Sequence, residues 1–364
     1  MNELAARRKT RTVYVGRVAV GCGHPVSVQS MCNTKTADVA ATLAQIEALA
    51  QAGADIGRLA VPDQAAAAAL PGIVRLSPLP LIADIHFDHC LALAAVAAGM
   101  AGLRLNPGNI GGKDKVREVA QAAAAAGIPI RVGVNAGSVR PEQWAEFPDR
   151  SEAMVQLALR QAELLEDAGC AAIKISLKSS SIPEMLASCR RIAGLCDYPL
   201  HLGVTEAGTL LRGSVKSAVG IGALLAEGIG DTMRVSLTDD PLREVEVACQ
   251  ILAELGLREQ GWQFVSCPTC GRTEIDLIDL AGRVEEALSA CPPPRPMKVA
   301  IMGCVVNGPG EAADAELGVA GGRGGGLIFV RGKKVGFYPE EQLLPRLLEL
   351  ARRLMDEPAE QDSH

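Results

Sequence analysis

Three cysteines towards the C-terminal end of the chain form the first group able to do chemistry. Cys267 and Cys270 stand two residues apart in Cys-Pro-Thr-Cys-Gly-Arg, and Cys304 arrives later in Met302-Gly-Cys-Val-Val-Asn-Gly-Pro-Gly-Glu311. Two thiolates at this spacing can be directed at one metal centre, and the third makes three soft ligands. A structural zinc takes four ligands, usually Cys or His, whereas a cubane iron–sulfur cluster needs one ligand per iron. No His lies between Phe264 and Glu311. The nearby oxygen ligand is Glu311, reached after Asn307-Gly-Pro-Gly310, whose glycines let the backbone fold back tightly. Three thiolates with one harder, more labile ligand would leave one iron open to a substrate. A zinc ribbon, or plain buried thiols, compete for the same spacing.

A second group collects at the ends of short β-branched runs. Asp84 and His86 close one run, Arg104, Asn106 and Asn109 another, Arg131 and Asn135 a third, and Lys174, Ser176 and Lys178 a fourth. His201, Thr205 and Glu206 follow, then Arg234 and Ser236, with Arg58 on an earlier run. Buried parallel strands are ordinarily apolar throughout, so these alternate polar residues must face a common interior or be paired there. Arg58, Arg104, Arg131, Lys178 and Arg234 together describe a site for a strongly anionic substrate, Arg through its two-pronged donor and Lys as a point charge. The competing reading is ion pairing with Asp84, Glu206 and Asp55. Asp84 and His86, two residues apart on an extended chain, face the same way and suit hydroxyl contacts or an acid–base relay. Glu206 can act as a general acid if enclosure raises its pKa. His201, near a strand start, reads as structural. The glycines around Asn106-Pro-Gly-Asn-Ile-Gly-Gly112 could bring backbone amides to the same anion.

The elements that must position these groups alternate regularly. Strands are expected at 26–29, 56–61, 81–85, 102–105, 130–134, 172–177, 200–204 and 233–237. Helices are expected at 39–52, 64–70, 89–98, 114–126, 151–168, 183–195, 214–226 and 241–255. Eight strand–helix units over about 240 residues fit a closed parallel (β/α)8 TIM barrel, which typically needs ~250 residues. The polar ends would then lie on its C-terminal rim. A short β-like segment at 12–23 could plug the barrel base. The pattern stops after Gly256, which divides the chain into a substrate-binding barrel at 1–260 and a small α+β domain at 261–364. The latter should hold helices at 276–290 and 340–355, strands at 298–301, 327–331 and 335–338, and a glycine-rich loop at 318–326.

The 364 residues are 48% hydrophobic but only 3% aromatic, so Ala, Val and Leu must fill the core. The longest uncharged apolar run falls short of the ~20 residues that span a bilayer, so no membrane segment is expected. The net charge of −6 offers no basic surface for nucleic acid. Arg7, Arg8, Lys9 and Arg11 precede no apolar core and read as a solvated basic tail. Eleven cysteines without a secretory signal point to reduced thiols in a cytoplasmic protein. The eight outside the metal motif read as small core residues.

The cysteine and Asn-Gly-Pro-Gly-Glu motifs resemble the C-terminal domain of the 4-hydroxy-3-methylbut-2-en-1-yl diphosphate synthase family. Val28-Gln-Ser-Met, Ala83-Asp-Ile-His-Phe87, Gly133-Val-Asn-Ala-Gly-Ser138 and His201-Leu-Gly-Val-Thr-Glu-Ala-Gly208 extend the resemblance through the barrel. It departs at Cys32 and Lys35, where the family has Thr and an acidic residue, and at Gly57-Arg58-Leu. The resemblance implies a [4Fe–4S] cluster on Cys267, Cys270, Cys304 and Glu311. It also implies anion contacts from Arg58, Arg104, Lys178 and Arg234, a pocket lined by Asp84, His86, Asn106, Asn135 and Ser236, and Glu206 near the reacting carbon. The implied reaction is reductive ring opening and dehydration of 2-C-methyl-D-erythritol 2,4-cyclodiphosphate to 4-hydroxy-3-methylbut-2-enyl diphosphate. Its two electrons would come from flavodoxin or ferredoxin, since the chain carries no flavin or nicotinamide fingerprint. A head-to-tail homodimer is implied as well. The rival readings are a barrel enzyme on another phosphorylated substrate with a structural zinc domain, and an iron- or redox-sensing protein without catalysis.

Overall fold

The computed structural model describes residues 4–106, 109–259, 261–304 and 314–357. The chain divides into two compact units, Met1–Arg258 and Glu259–His364.

The first unit is the expected barrel. Eight parallel strands run β3 (Ser27–Met31), β4 (Ile56–Ala60), β5 (Leu81–Asp84), β6 (Gly102–Leu105), β7 (Ile130–Asn135), β8 (Ile173–Lys178), β9 (His201–Leu202) and β10 (Thr232–Met233). They hydrogen-bond in the order β8-β7-β6-β5-β4-β3-β10-β9, and a parallel bridge between Ile175 and Leu200 joins the two ends. Seven helices of nine or more residues follow the strands directly: α1 (Val39–Gln51), α2 (Gln64–Leu76), α3 (His89–Ala97), α4 (Lys113–Ala125), α7 (Ile182–Ala193), α8 (Leu210–Ala226) and α9 (Pro241–Glu254). After β7 a short helix α5 (Pro141–Ala145) precedes α6 (Arg150–Asp167). Asp38, Asp63, Asp88, Asp149 and Asp240 cap α1, α2, α3, α6 and α9 by accepting backbone N–H bonds, so these helices start at the rim where the strands end. The helix expected to stop at Leu70 continues through Pro71, because Leu70 and Ile73 are both fully buried on its inner face.

Strict alternation organises the barrel. Ile173, Ile175 and Leu177 of β8 join the apolar layer beneath the helices, which leaves Lys174, Ser176 and Lys178 facing inward. The same parity turns Arg131 of β7, Arg104 of β6, Asp84 of β5, Arg58 of β4 and Gln29 of β3 to the interior. At the base, the hairpin β1 (Val13–Val15) and β2 (Val18–Val20) packs Val13, Val15 and Val20 against Ile56 and Ile82, and so forms the expected plug.

The N-terminal basic segment is not a solvated tail. Arg7 donates to the carbonyl of Gly230 and to Asp231 Oδ1, both at 3.0 Å, and Arg8 donates to the carbonyls of Cys196 at 2.6 Å and Tyr198. These carbonyls lie before β9 and β10, and the guanidinium forks supply donors that no strand provides. Arg11 pairs with Asp197 and Glu166. Not every spare cysteine is a core residue either. Cys32, Cys170 and Cys189 are buried, but Cys22, Cys90 and Cys291 are exposed, in a turn, a helix's first turn and just past a helix end.

The second unit is a five-stranded sheet ordered β11 (Trp262–Ser266), β12 (Met297–Met302), β13 (Leu317–Gly322), β14 (Gly325–Val330) and β15 (Lys333–Pro339). The first three strands are parallel and the last two antiparallel. Helices α10 (Leu277–Ser289) and α11 (Glu340–Asp356) bury Leu280, Val284, Leu343 and Leu347 against one sheet face. The glycine-rich segment expected as a loop is mostly the hairpin β13–β14, because its glycines allow close backbone approach. A Cβ on Gly321 would lie 2.5 Å from the carbonyl oxygen of Gly303.

Candidate functional site

Inward parity gathers the predicted rim residues into one cavity of about 200 Å³, lined by Arg58, Asp84, His86, Arg104, Arg131, Asn135, Lys178, Thr205, Arg234 and Ser236. A neighbouring cleft of about 90 Å³ takes in His86, Arg104, Asn106, Asn109 and Asn135. Asp84 is the local anion. Arg104 Nη1 donates to its Oδ1 at 3.0 Å, while Arg58 Nε and His86 Nε2 lie 3.8 and 3.6 Å from Oδ2. Burial raises the Asp84 carboxyl, but His86, Arg58, Arg104 and Arg131 outweigh it and hold the group well below the usual carboxylate range.

The cations outnumber their partners. Five cationic side chains face two carboxylates, Asp84 and Glu244, which leaves an excess of three positive charges when all are ionised. Burial, then repulsion from Arg234 and Arg104, brings Arg58 down to about 9 against some relief from Asp84. Arg131 and Lys178, both buried, are lowered well below their ordinary values by desolvation and by the neighbouring arginines. A multiply charged anion removes that repulsion, and one or two water molecules do not. Gly203 makes room for Lys178, since a Cβ there would lie 2.5 Å from Lys178 Nζ.

Two further residues hold the cations in place. Met31 Sδ accepts from Arg58 Nη2 at 2.9 Å and lies 3.7 Å from Arg234 Nη1. Glu244, buried in the first turn of α9, grips Arg234 through both carboxylate oxygens. Sequence reasoning missed both. The legible signal for Glu244 was its position on the same helical face as Val245, Ala248, Ile251 and Leu252. Glu206 is exposed, with its backbone in the left-handed region at φ 54°, a conformation uncommon for a residue with a side chain. It lies next to the lining residue Thr205.

In the second unit, parallel strands set the cysteines. Ser266 of β11 pairs with Ile301 of β12, so Cys267 and Cys304 follow from the same edge of neighbouring strands. The Gly303 N–H donates to Cys267 Sγ at 3.2 Å, and Glu274 N–H donates to the Gly303 carbonyl at 3.1 Å. Cys270 is exposed, and its thiol is lowered by hydrogen bonds from the Arg272 backbone and side chain. Among the described residues, the one set of three His, Cys, Asp or Glu ligand atoms within 4.8 Å of one another is Asp88, His89 and Cys90, so the sulfurs of Cys267, Cys270 and Cys304 are more widely spread. An N–H bond to a ligand sulfur is a feature of iron–sulfur centres. Glu311 and the Pro107-Gly108 part of the proposed amide loop lie outside the described residues.

Comparison with known proteins fits this division. Residues 10–249 match the GcpE TIM-barrel domain and residues 263–353 match the GcpE protein C-terminal domain. The chain is 55% identical over 344 residues to the 4-hydroxy-3-methylbut-2-en-1-yl diphosphate synthase (flavodoxin) of Maridesulfovibrio salexigens, covering 94% of this chain and 96% of that one. It is 53% identical to the Geobacter sulfurreducens protein of the same name over 352 residues, covering 96% and 99%. Among solved structures, dihydropteroate synthase from Thermus thermophilus aligns with 68% of this chain and 97% of its own, at 17% identity and a TM-score of 0.48. No described helix is long and apolar enough to cross a membrane.

Proposed function

Because this chain belongs to the GcpE family, whose relatives are 4-hydroxy-3-methylbut-2-en-1-yl diphosphate synthases, we propose that it converts 2-C-methyl-D-erythritol 2,4-cyclodiphosphate to 4-hydroxy-3-methylbut-2-enyl diphosphate. The observation that carries the reading is the excess of cations over carboxylates in the barrel cavity. A cyclic diphosphate supplies the missing negative charge, and guanidinium forks match its oxygens.

Arg58, Arg104, Arg131, Lys178 and Arg234 bind and orient the diphosphate. Asp84, His86, Asn106, Asn135 and Ser236 surround the carbon skeleton and its hydroxyls. Holding the substrate in one pose lowers the entropic part of the barrier at the reacting carbon. Two electrons enter, a ring C–O bond breaks, and one oxygen leaves as water with a proton delivered from the rim by Glu206, which the barrel itself leaves exposed rather than enclosed. Cys267, Cys270 and Cys304, with Glu311, would hold a [4Fe–4S] cluster, which when bound supplies the electrons one at a time. Flavodoxin, the donor in the relatives' names, delivers them.

α9 returns from the rim, so the chain leaves the barrel at the end opposite the pocket. A head-to-tail homodimer lets each C-terminal unit serve the partner's barrel. Small-angle scattering of active enzyme as a monomer would remove this part of the proposal.

The deciding experiment is anaerobic iron and sulfide analysis with electron paramagnetic resonance of the reduced protein, before and after the cyclodiphosphate is added. About four irons per chain and a spectrum altered by substrate are expected for a substrate-facing cluster. Zinc, or an iron signal indifferent to the substrate, would overturn the reading.

A further inference from the structure

One layer of the barrel interior has no part in the proposed reaction. On β8, Lys174 lies four residues before the pocket residue Lys178 and faces the same way. His201 on β9 lies four before Thr205, Thr232 on β10 two before Arg234, and Gln29 on β3 two before Met31. The Ile175–Leu200 bridge joins β8 to β9, and β10 and β3 follow in order, so these four residues line one continuous sector beneath the pocket. None is more than 1% exposed. Lys174 Nζ, both ring nitrogens of His201, both amide atoms of Gln29 and Thr232 Oγ1 have no hydrogen-bond partner among the described residues. Buried polar atoms of this kind are satisfied by internal water. The sector is therefore a buried polar layer whose donors and acceptors no described residue satisfies, with the apolar β1–β2 plug at the barrel base.

The charges facing Lys174 are known from every side. Arg131 stands opposite it in the β7–β8 register, and His201 comes from β9. Arg58 and Lys178 also act on His201. The interior carboxylate Asp84 is engaged with Arg58 and Arg104, and Glu244 with Arg234. Burial and then Arg131 bring Lys174 down to about 7, while His201 is held well below its usual value by burial and by Arg131, Lys178, Arg58 and Lys174.

We propose that Lys174 is the proton acceptor of this layer, taking a proton from solvent onto Nζ when a polyanion binds among the arginines above it. The inference rests on the diphosphate reading of the pocket. An anion on Arg131 cancels the repulsion that acts on Lys174 and adds an attraction of its own, so binding and protonation favour each other. Substrate capture is thereby coupled to an extra buried positive charge.

Calorimetric titration of the anaerobically prepared holoprotein with pyrophosphate, at pH 8 in two buffers of different ionisation enthalpy, counts the protons taken up. Wild type is expected to take up about half a proton or more beyond Lys174→Met, whose remaining uptake belongs to the other lowered groups, Lys178, Arg131, Arg58 and His201. Equal uptake by both proteins overturns the proposal. Failure of wild type to bind pyrophosphate is a different result, and overturns the pocket reading together with it. A measurement on wild type alone covers the case of a variant that does not fold. With carbon-13 at Cε of the ten lysines, two resonances should titrate well below the rest and move to the ammonium position at pH 8 on adding pyrophosphate. One such resonance, or none, overturns the proposal.

Discussion

Glu244 holds Arg234 through both carboxylate oxygens, with Arg234 Nε 3.2 Å from Oε2 and Nη2 3.2 Å from Oε1. Oε1 also accepts the backbone N–H of Leu237 at 2.9 Å. One buried residue of α9 thus fixes both a strand-end cation and the turn that follows it. Paired parallel bonds fix the plane of a guanidinium as well as its position. Glu244→Gln keeps the shape and removes the charge, leaving a largely buried cation without its counter-ion, at a cost on the order of 3 kcal/mol in folding stability. We expect KM for the cyclodiphosphate to rise about tenfold, equivalent to ~1.4 kcal/mol, with a smaller change in kcat. Denaturant unfolding and steady-state kinetics test the two parts, and an unchanged KM would remove the positioning role.

Asp84 sets the acid limb of stability. Its folded pKa lies below the unfolded value of ~3.9, so the stability it contributes is fully present above about pH 4 and is lost as pH falls below that. Asp84→Asn should therefore be less stable than wild type at pH 7, by roughly 3 kcal/mol. The gap should narrow below pH 4. Urea unfolding at pH 7, 5 and 3.5 checks this; a constant difference across the series would contradict it.

On the alkaline side the sign follows from Lys174. Its folded value is about 7 against an ordinary 10.5, so between these values the unfolded chain binds a proton that the folded chain does not. Stability without ligand therefore rises with pH across that window, and the contribution is complete only above 10.5. Lys174→Met should flatten the rise and leave the part due to Lys178, Arg131 and Arg58. Unfolding free energies at pH 7, 8.5 and 10 measure the slope directly.

The barrel was legible because its chemistry and its core share a period of two. Lys174, Ser176 and Lys178 alternate with Ile173, Ile175 and Leu177, and that parity announces both a strand and a polar interior. The same rule located Arg58, Asp84, Arg104, Arg131 and Arg234 in one cavity. Long-range polar contacts were not legible. Arg7 and Arg8 satisfy carbonyls about 190 to 220 residues away, which no local pattern reveals. The strand β13 was hidden because Gly318, Gly321 and Gly322 suggest a loop, although here glycine is needed for two backbones to touch. β11 was overlooked because Trp262-Gln-Phe-Val-Ser is short and sits between a polar linker and the cysteine motif. Met31 is invisible as a partner, since a thioether between two guanidiniums leaves no mark in composition.

The cysteine set predicts a separation between the two units. Cys304→Ser should lower iron and sulfide well below four per chain and abolish turnover, since an alcohol replaces a thiolate ligand. The barrel cations are on a different unit, so calorimetric binding of pyrophosphate should persist within about twofold. Loss of pyrophosphate binding along with the iron would show that the anion pocket depends on the cysteine site, contrary to this division.

Gly321 tests how tightly that site is framed. A Cβ there would lie 2.5 Å from the Gly303 carbonyl oxygen and 2.9 Å from Ile275 Cγ1, closer than real Cβ atoms come. Gly303 has little freedom to yield, because its carbonyl accepts from Glu274, its N–H donates to Cys267 Sγ, and Cys304 follows it directly. Gly321→Ala should therefore cost the C-terminal unit about 1–3 kcal/mol as overpacking and displace two cysteines together. Iron content should fall even in protein that remains folded. Gly282→Ala is the control, a glycine inside α10 with open space around its Cβ, where the change should be neutral or stabilising by up to ~1 kcal/mol. Thermal unfolding and iron per chain, measured side by side, decide the matter. A Gly321→Ala protein with full iron would show that the β13 backbone does not hold the Gly303–Cys304 turn in place.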